Sequence, residues 1–71
     1  MKYKVGDLIR IVRTVDIDTF GRVTQKLEQK YIGMVGLIES ISIHSDYYNV
    51  LIGDEKETTE VYEEEVELVN G

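Results

Sequence analysis

An all-β domain of four or five short strands, rolled into a small barrel, is what this 71-residue chain predicts. Three observations lead there. Apolar residues alternate with polar ones over segments of four to seven residues, the period of a strand with one buried face. The segments are separated by turns built from glycine, asparagine and aspartate, with no proline anywhere. The second half reads as a meander, each strand running into a turn and then the next strand. Closing such a set into a barrel also removes the exposed edges that a β chain without proline would otherwise present.

The elements follow in order. Gly6-Asp7 marks a turn, and Leu8 to Arg13 reads as the first strand, with Ile9 and Ile11 sharing a face with Val5. Residues 14–32 admit two readings. Val15 and Ile17 continue the alternation, and Asp18-Thr19-Phe20-Gly21 suits a tight reversal, which makes a long irregular hairpin loop. Alternatively, Val23, Leu27 and Tyr31 fall at i, i+4 and i+8, and Gly33 stands where a helix would end, which makes a short helix over Arg22 to Tyr31. Leu37 to Ile43 is the second strand, and Gly33 and Gly36 before it suggest a bulge or a close backbone approach. His44-Ser45-Asp46 is a turn, Tyr47 to Ile52 the third strand, and Gly53 to Lys56 a hairpin turn. Glu57 to Tyr62 is the fourth strand, Glu63 to Glu65 a tight helical turn, and Val66 to Val69 a short last strand. The expected core is Val5, Ile9, Ile11, Val35, Ile38, Ile41, Tyr48, Val50, Ile52, Val61, Val66 and Leu68.

Composition narrows the function. Residues 1–71 make a single small barrel domain, since a chain this short buries only about 60% of the surface it exposes when unfolded. With no cysteine there is no disulfide, thiolate metal site or thiol nucleophile, and one histidine excludes a multi-histidine metal cluster. The start, MKYKVGDLIR, lacks the apolar run of a signal peptide, and no stretch approaches the roughly 20 apolar residues needed to span a bilayer. A cytoplasmic protein with no membrane contact is the expectation. The charge is divided unevenly. Residues 1–36 carry seven basic and four acidic side chains, a balance of +3, and residues 37–71 carry one lysine against ten carboxylates, a balance of −9. Such a dipolar surface bears on partner choice more than the net −6 does.

The order of these pieces resembles a known architecture. Val5-Gly6-Asp7 followed by Ile9 and Ile11 resembles the opening strand of Src-homology-3-like barrels. Gly33-x-x-Gly36-x-Ile38 followed by Ile41 is similar to their second strand, where a glycine lets the strand coil sharply. Tyr48-Asn49-Val50 followed by Ile52 is similar to the third, and Val61 to Val69 to the closing strand, tight turn and last short strand. Residues 14–32 would be the long first loop. The resemblance implies a five-stranded barrel and little about function, because the superfamily spans proline-peptide binders, ribosome and transcription-factor modules, a small peripheral subunit of photosystem I, and small bacterial and prophage proteins. Its proline-peptide binders use an aromatic groove typically holding a tryptophan, and this chain has none.

No residue set reads as a catalytic centre, so the protein is expected not to be an enzyme and to carry no cofactor. Glu60, Glu63, Glu64, Glu65 and Glu67 supply carboxylates but no pocket to desolvate one of them, and read as solvated surface charge. His44, Ser45 and Asp46 are adjacent in a turn and cannot converge as a triad. Asp16, Asp18 and Thr19 fall short of a calcium loop and read as turn formers. Two surfaces remain. Arg10, Arg13, Arg22, Lys26 and Lys30, with Phe20 or Tyr31 as a stacking platform, would make a nucleic-acid patch if the loop folds beside the first strand. The acidic second half could dock on a basic protein surface. There Tyr47 points outward as an interface anchor, among Glu57, Glu60, Glu63 and Glu64. The leading expectation is a non-catalytic protein–protein interaction module or accessory protein, suited to phage or mobile-element origin. A nucleic-acid-binding module is the alternative and a homo-oligomer a third possibility.

Overall fold

The computed structural model describes residues 2–14, 18–19, 22–23, 27–44 and 47–69, with backbone alone at 18–19 and 22–23. Among them lie the strands β1 (Leu8–Ile11), β2 (Asp18–Thr19), β3 (Arg22–Val23), β4 (Val35–Ser42), β5 (Tyr47–Ile52), β6 (Thr59–Tyr62) and β7 (Val66–Leu68). Two 3-10 turns, η1 (Gln29–Tyr31) and η2 (Glu63–Glu65), complete the set. The chain is all-β, as its alternation predicts.

Five strands pair antiparallel in one sheet, in the order β6-β5-β4-β1-β7. The meander β4-β5-β6 accounts for three neighbours in sequence, and the last strand returns to the far side of the first, pairing Ile9 with Leu68 and Ile11 with Val66. Separately, β2 and β3 pair antiparallel, Asp18 with Val23 and Thr19 with Arg22, while Phe20 and Gly21 of the reversal expected at 18–21 lie outside the described residues. Of the competing helix over Arg22 to Tyr31, the described residues show strand at Arg22–Val23 and a 3-10 turn at Gln29–Tyr31, residues 24–26 lie outside the described residues, and Leu27 and Tyr31 of its proposed apolar face are both buried. A helix of that length gains too little from its own hydrogen bonds, so the packing of those two side chains decides the local shape. Gly33 follows η1 with φ +90°, a backbone region open to glycine, and its N–H donates to the Ile11 carbonyl at 2.7 Å.

The inner face of the sheet carries Ile9, Ile11, Ile38, Tyr48, Val50, Ile52 and Val61, all fully buried. Each such side chain stabilises the fold by about 1.5–3 kcal/mol relative to leaving it exposed. No element among the described residues is long enough to form a second layer over this face, and the buried side chains pack against one another as one cluster. At Gly36 the backbone of β4 runs close against β5. A Cβ there would stand 2.9 Å from the Leu51 carbonyl oxygen and would overlap Val50. The close approach expected near the glycines is therefore at Gly36, whereas the bulge lies further along, between Ile38 and Ser40. That bulge resolves a conflict of period. Ile38 and Ile41 are three residues apart, and an unbroken strand would put them on opposite faces. The bulge restores Ile41 to the core side, where it packs half-buried.

Three expected core residues lie outside. Val5 is 57% exposed, because the turn closed by the Asp7 N–H on the Lys4 carbonyl breaks the alternation before β1 begins. Val35 is outward because the pairing of β4 gives the inward positions to Gly36 and Ile38. Leu68 sits on a three-residue edge strand with one neighbour, too short to enclose it. In the opposite sense, Tyr3, Leu27 and Tyr31 join the core.

Candidate protein-interaction site

The acidic end of the molecule is organised by η2, which joins β6 to β7. Glu65 was expected at the surface with its neighbours and is instead 1% exposed. The reason is local. Its carboxylate Oε1 accepts the Tyr62 N–H at 2.7 Å, satisfying a donor that the start of a helical turn leaves open. The Glu65 carbonyl in turn accepts from Val12 and Arg13 N–H at 2.8 and 3.3 Å, which ties the end of β1 to the turn. Glu64, one residue earlier, is exposed, and Glu63 is half-buried. Adjacent glutamates thus have opposite fates because a three-residue turn points them in different directions.

Tyrosines form the other half of this end. Tyr48 is fully buried, and its hydroxyl accepts the Tyr3 N–H at 3.0 Å and donates to Glu63 Oε2 at 3.4 Å. The Tyr3 hydroxyl donates to the Val66 carbonyl at 3.4 Å, and the two rings lie 5.8 Å apart. Tyr3 thereby links β5 to β7. Burial pushes the Tyr48 hydroxyl above its ordinary pKa, and the neighbouring Glu63 carboxylate adds to the effect. On the outer surface Tyr47 and Tyr62 face each other across β5 and β6, rings edge-on at 6.5 Å. Both are half-buried, as the alternation predicts for Tyr47 beside an inward Tyr48. Glu60 pairs with Asn49 on the same outer face, two residues along. The structure therefore brings Tyr47 and Glu60 onto one face at the edge strand, with Glu63 and Glu64 at its end. The other end of β6 is different. Glu57 lies beyond it, in an open cleft of about 570 Å³ lined by Tyr31, Glu55, Lys56, Glu57, Thr58 and Thr59. The Tyr31 hydroxyl lies 2.8 Å from each Glu55 carboxylate oxygen, and that hydrogen bond, with burial second, raises its pKa. Tyr62, in contrast to Tyr47, gave no sequence signal as a surface anchor, since only the β5–β6 register sets it beside Tyr47.

Three residues of the basic set have described side chains, and each of the three has a partner. Arg10 pairs with Glu67 at 3.5 Å across β1 and β7, and Arg13 Nη1 donates to the Glu64 carbonyl at 2.6 Å. Lys30 pairs with Glu28 at 3.2 Å, which raises its pKa, and lies 5.2 Å from the centre of the Tyr31 ring. The Arg22 side chain and Lys26 lie outside the described residues, as do Asp16, Phe20 and the side chains of Asp18 and Thr19. His44 is exposed in its turn, and Ser45 and Asp46 are not described. Among the described residues no group of three or more histidines and carboxylates could hold a metal ion, and no helix is long and apolar enough to cross a membrane. Comparison with protein-family models, curated proteins and solved structures finds no match.

Proposed function

We propose that the protein is a non-catalytic interaction module of the Src-homology-3-like barrel type, which binds a basic protein surface through the outer face of β5 and β6. The Tyr47–Tyr62 pair carries this reading. Two half-exposed aromatic rings, held against each other at a sheet edge with Glu60 on the same face and exposed Glu64 just beyond the strand end, combine rigid anchors with a charged rim. The barrel assignment draws support from the last strand returning beside the first, from the 3-10 turn that joins it to β6, and from the connection between β1 and β4 that carries the β2–β3 pair. The second half supplies the complementarity for a basic partner, and the balance of −9 over residues 37–71 extends it beyond contact distance.

The test is capture from nuclease-treated lysate on the immobilised full chain, beside a Tyr47→Ala/Glu60→Gln/Glu64→Gln variant. The expected outcome is a protein retained at low salt, released as salt rises, and not retained by the variant. No retained protein at low ionic strength, or equal retention by the variant, would end the proposal. Retention lost on nuclease treatment would transfer the function to nucleic acid.

A further inference from the structure

β6 lies at one edge of the five-stranded sheet, and the direction of its backbone groups can be read from its neighbours. In an antiparallel ladder, alternate residues turn their N–H and C=O toward alternate sides. Three contacts set that parity. The Gly53 N–H donates to the Val35 carbonyl, so the odd-numbered residues of β5 turn toward β4. The Glu55 N–H donates to the Ile52 carbonyl, so the even-numbered ones turn toward β6. The Tyr62 N–H meets the Glu65 carboxylate rather than β5. In the register Tyr48↔Val61 and Val50↔Thr59, it is therefore Val61 and Thr59 that bond to β5, and Glu60 turns its N–H and C=O away from the sheet. Among the described residues neither of these two groups has a partner. The opposite edge differs, because the Val66 carbonyl on β7 accepts the Tyr3 hydroxyl.

We infer that the β6 edge accepts a further strand, an extended basic segment of the partner that runs antiparallel to β6 and exchanges two hydrogen bonds with Glu60. This rests on the basic-partner reading above and specifies how that partner docks. Charge selects the occupant. Glu60 lies on the strand, exposed Glu64 just past one end, and exposed Glu57 just past the other, beside Glu55 in the cleft. Among the described residues no ion pair engages any of these four. Opposite charges facing each other across a ladder attract, and like charges repel. A second copy on the same edge would bring its own Glu60 and the flanking glutamates against these, whereas a basic strand meets them with the complementary sign. Period two sets the pattern that fits. Basic residues at every second position share the outer face with Glu60, and the residues between them turn to the inner side, where Val61 is buried. The four residues of β6 set the length of the docked stretch. In such a contact the main-chain bonds supply affinity and the alternate side chains supply specificity.

The probe is the end-capped peptide Lys-Val-Lys-Val-Lys-Val, titrated into the full chain while the backbone amide resonances are followed. With a lysine opposite Glu60, the peptide's lysine amides face β6 and its valine amides face away. Binding shifts the Glu60 amide resonance and slows its hydrogen exchange. N-methylation of the lysine amides weakens binding at least about tenfold, and N-methylation of the valine amides leaves it within about twofold. Glu60→Pro removes the edge N–H at a position where an edge strand tolerates proline, and weakens binding more than Glu60→Gln, which removes the charge alone. The acidic peptide Glu-Val-Glu-Val-Glu-Val does not bind. Equal effects of the two methylation patterns, equal binding of the acidic peptide, or no binding of the basic one would overturn strand addition. Self-association of the chain that Glu60→Pro abolishes would give the edge to a second copy and overturn it too. Salt-dependent binding that shifts Tyr47 and Tyr62 but ignores the methylation pattern removes strand addition and leaves the basic-partner face in place. Absence of both peptide binding and lysate capture removes the two readings together.

Discussion

Both ends of β6 are closed by a tyrosine and a glutamate, with the glutamate half-buried at one end and exposed at the other. At the η2 end the Tyr48 hydroxyl meets Glu63 and the Tyr62 N–H meets Glu65, beneath a layer formed by Tyr3. At the other end the Tyr31 hydroxyl meets Glu55 at the rim of an open cleft. The distances alone rank the second contact higher, at 2.8 Å against 3.4 Å for Tyr48 and Glu63. Burial reverses the ranking. A polar group shut away from water loses a full solvation shell when its partner is removed, whereas one at the rim takes up water instead.

That contrast orders the expected effects of substitution. Glu65→Ala leaves the Tyr62 N–H without its partner and empties a buried volume, at about 2–4 kcal/mol. For a domain whose whole stability is about 4–10 kcal/mol, this is a large fraction, visible as a lower urea midpoint. Glu64→Ala, next door and exposed, leaves the midpoint in place. Equal effects at 64 and 65 would remove the distinction between the two carboxylates. Tyr48→Phe removes an acceptor for the Tyr3 N–H and costs about 1–2 kcal/mol. Because the folded state raises the pKa of Tyr48, its neutral form is the one favoured. Its contribution is complete below about pH 10, the ordinary tyrosine value, and is lost as pH rises through the higher folded-state value. Stability measured by urea denaturation therefore falls above that pH, and falls less steeply in Tyr48→Phe. Tyr31→Phe is the smallest change, with a thermal midpoint that matches the unmodified chain. A loss at Tyr31 as large as that at Tyr48 would show that the cleft end is drier than its openness indicates.

Much of this architecture is legible along the chain. The β5 alternation places Tyr48, Val50 and Ile52 inward and Tyr47 outward, and the three-glutamate turn before the last strand sits where the local pattern puts it. Legibility fails where a neighbour outside the window decides. Val35 looks apolar enough for the core, and only the β1–β4 register, which sets it opposite Arg10, sends it out. Glu65 reads as surface charge, and only the path of η2 turns it toward the Tyr62 N–H. The candidate site divides the same way. Tyr47 is predicted from period two, while its partner Tyr62 and the separation of Glu57 from the other glutamates depend on the β5–β6 register.

The sequence by itself determined the fold class, the approximate strand segments and the inward sides of β1 and β5, because a strand's period is a local property of the chain. The tertiary structure alone decided which of three consecutive glutamates is buried, where the bulge falls, and that Glu60 turns its backbone groups away from the sheet. Those outcomes depend on strand register and on tertiary packing, which join residues far apart in the chain.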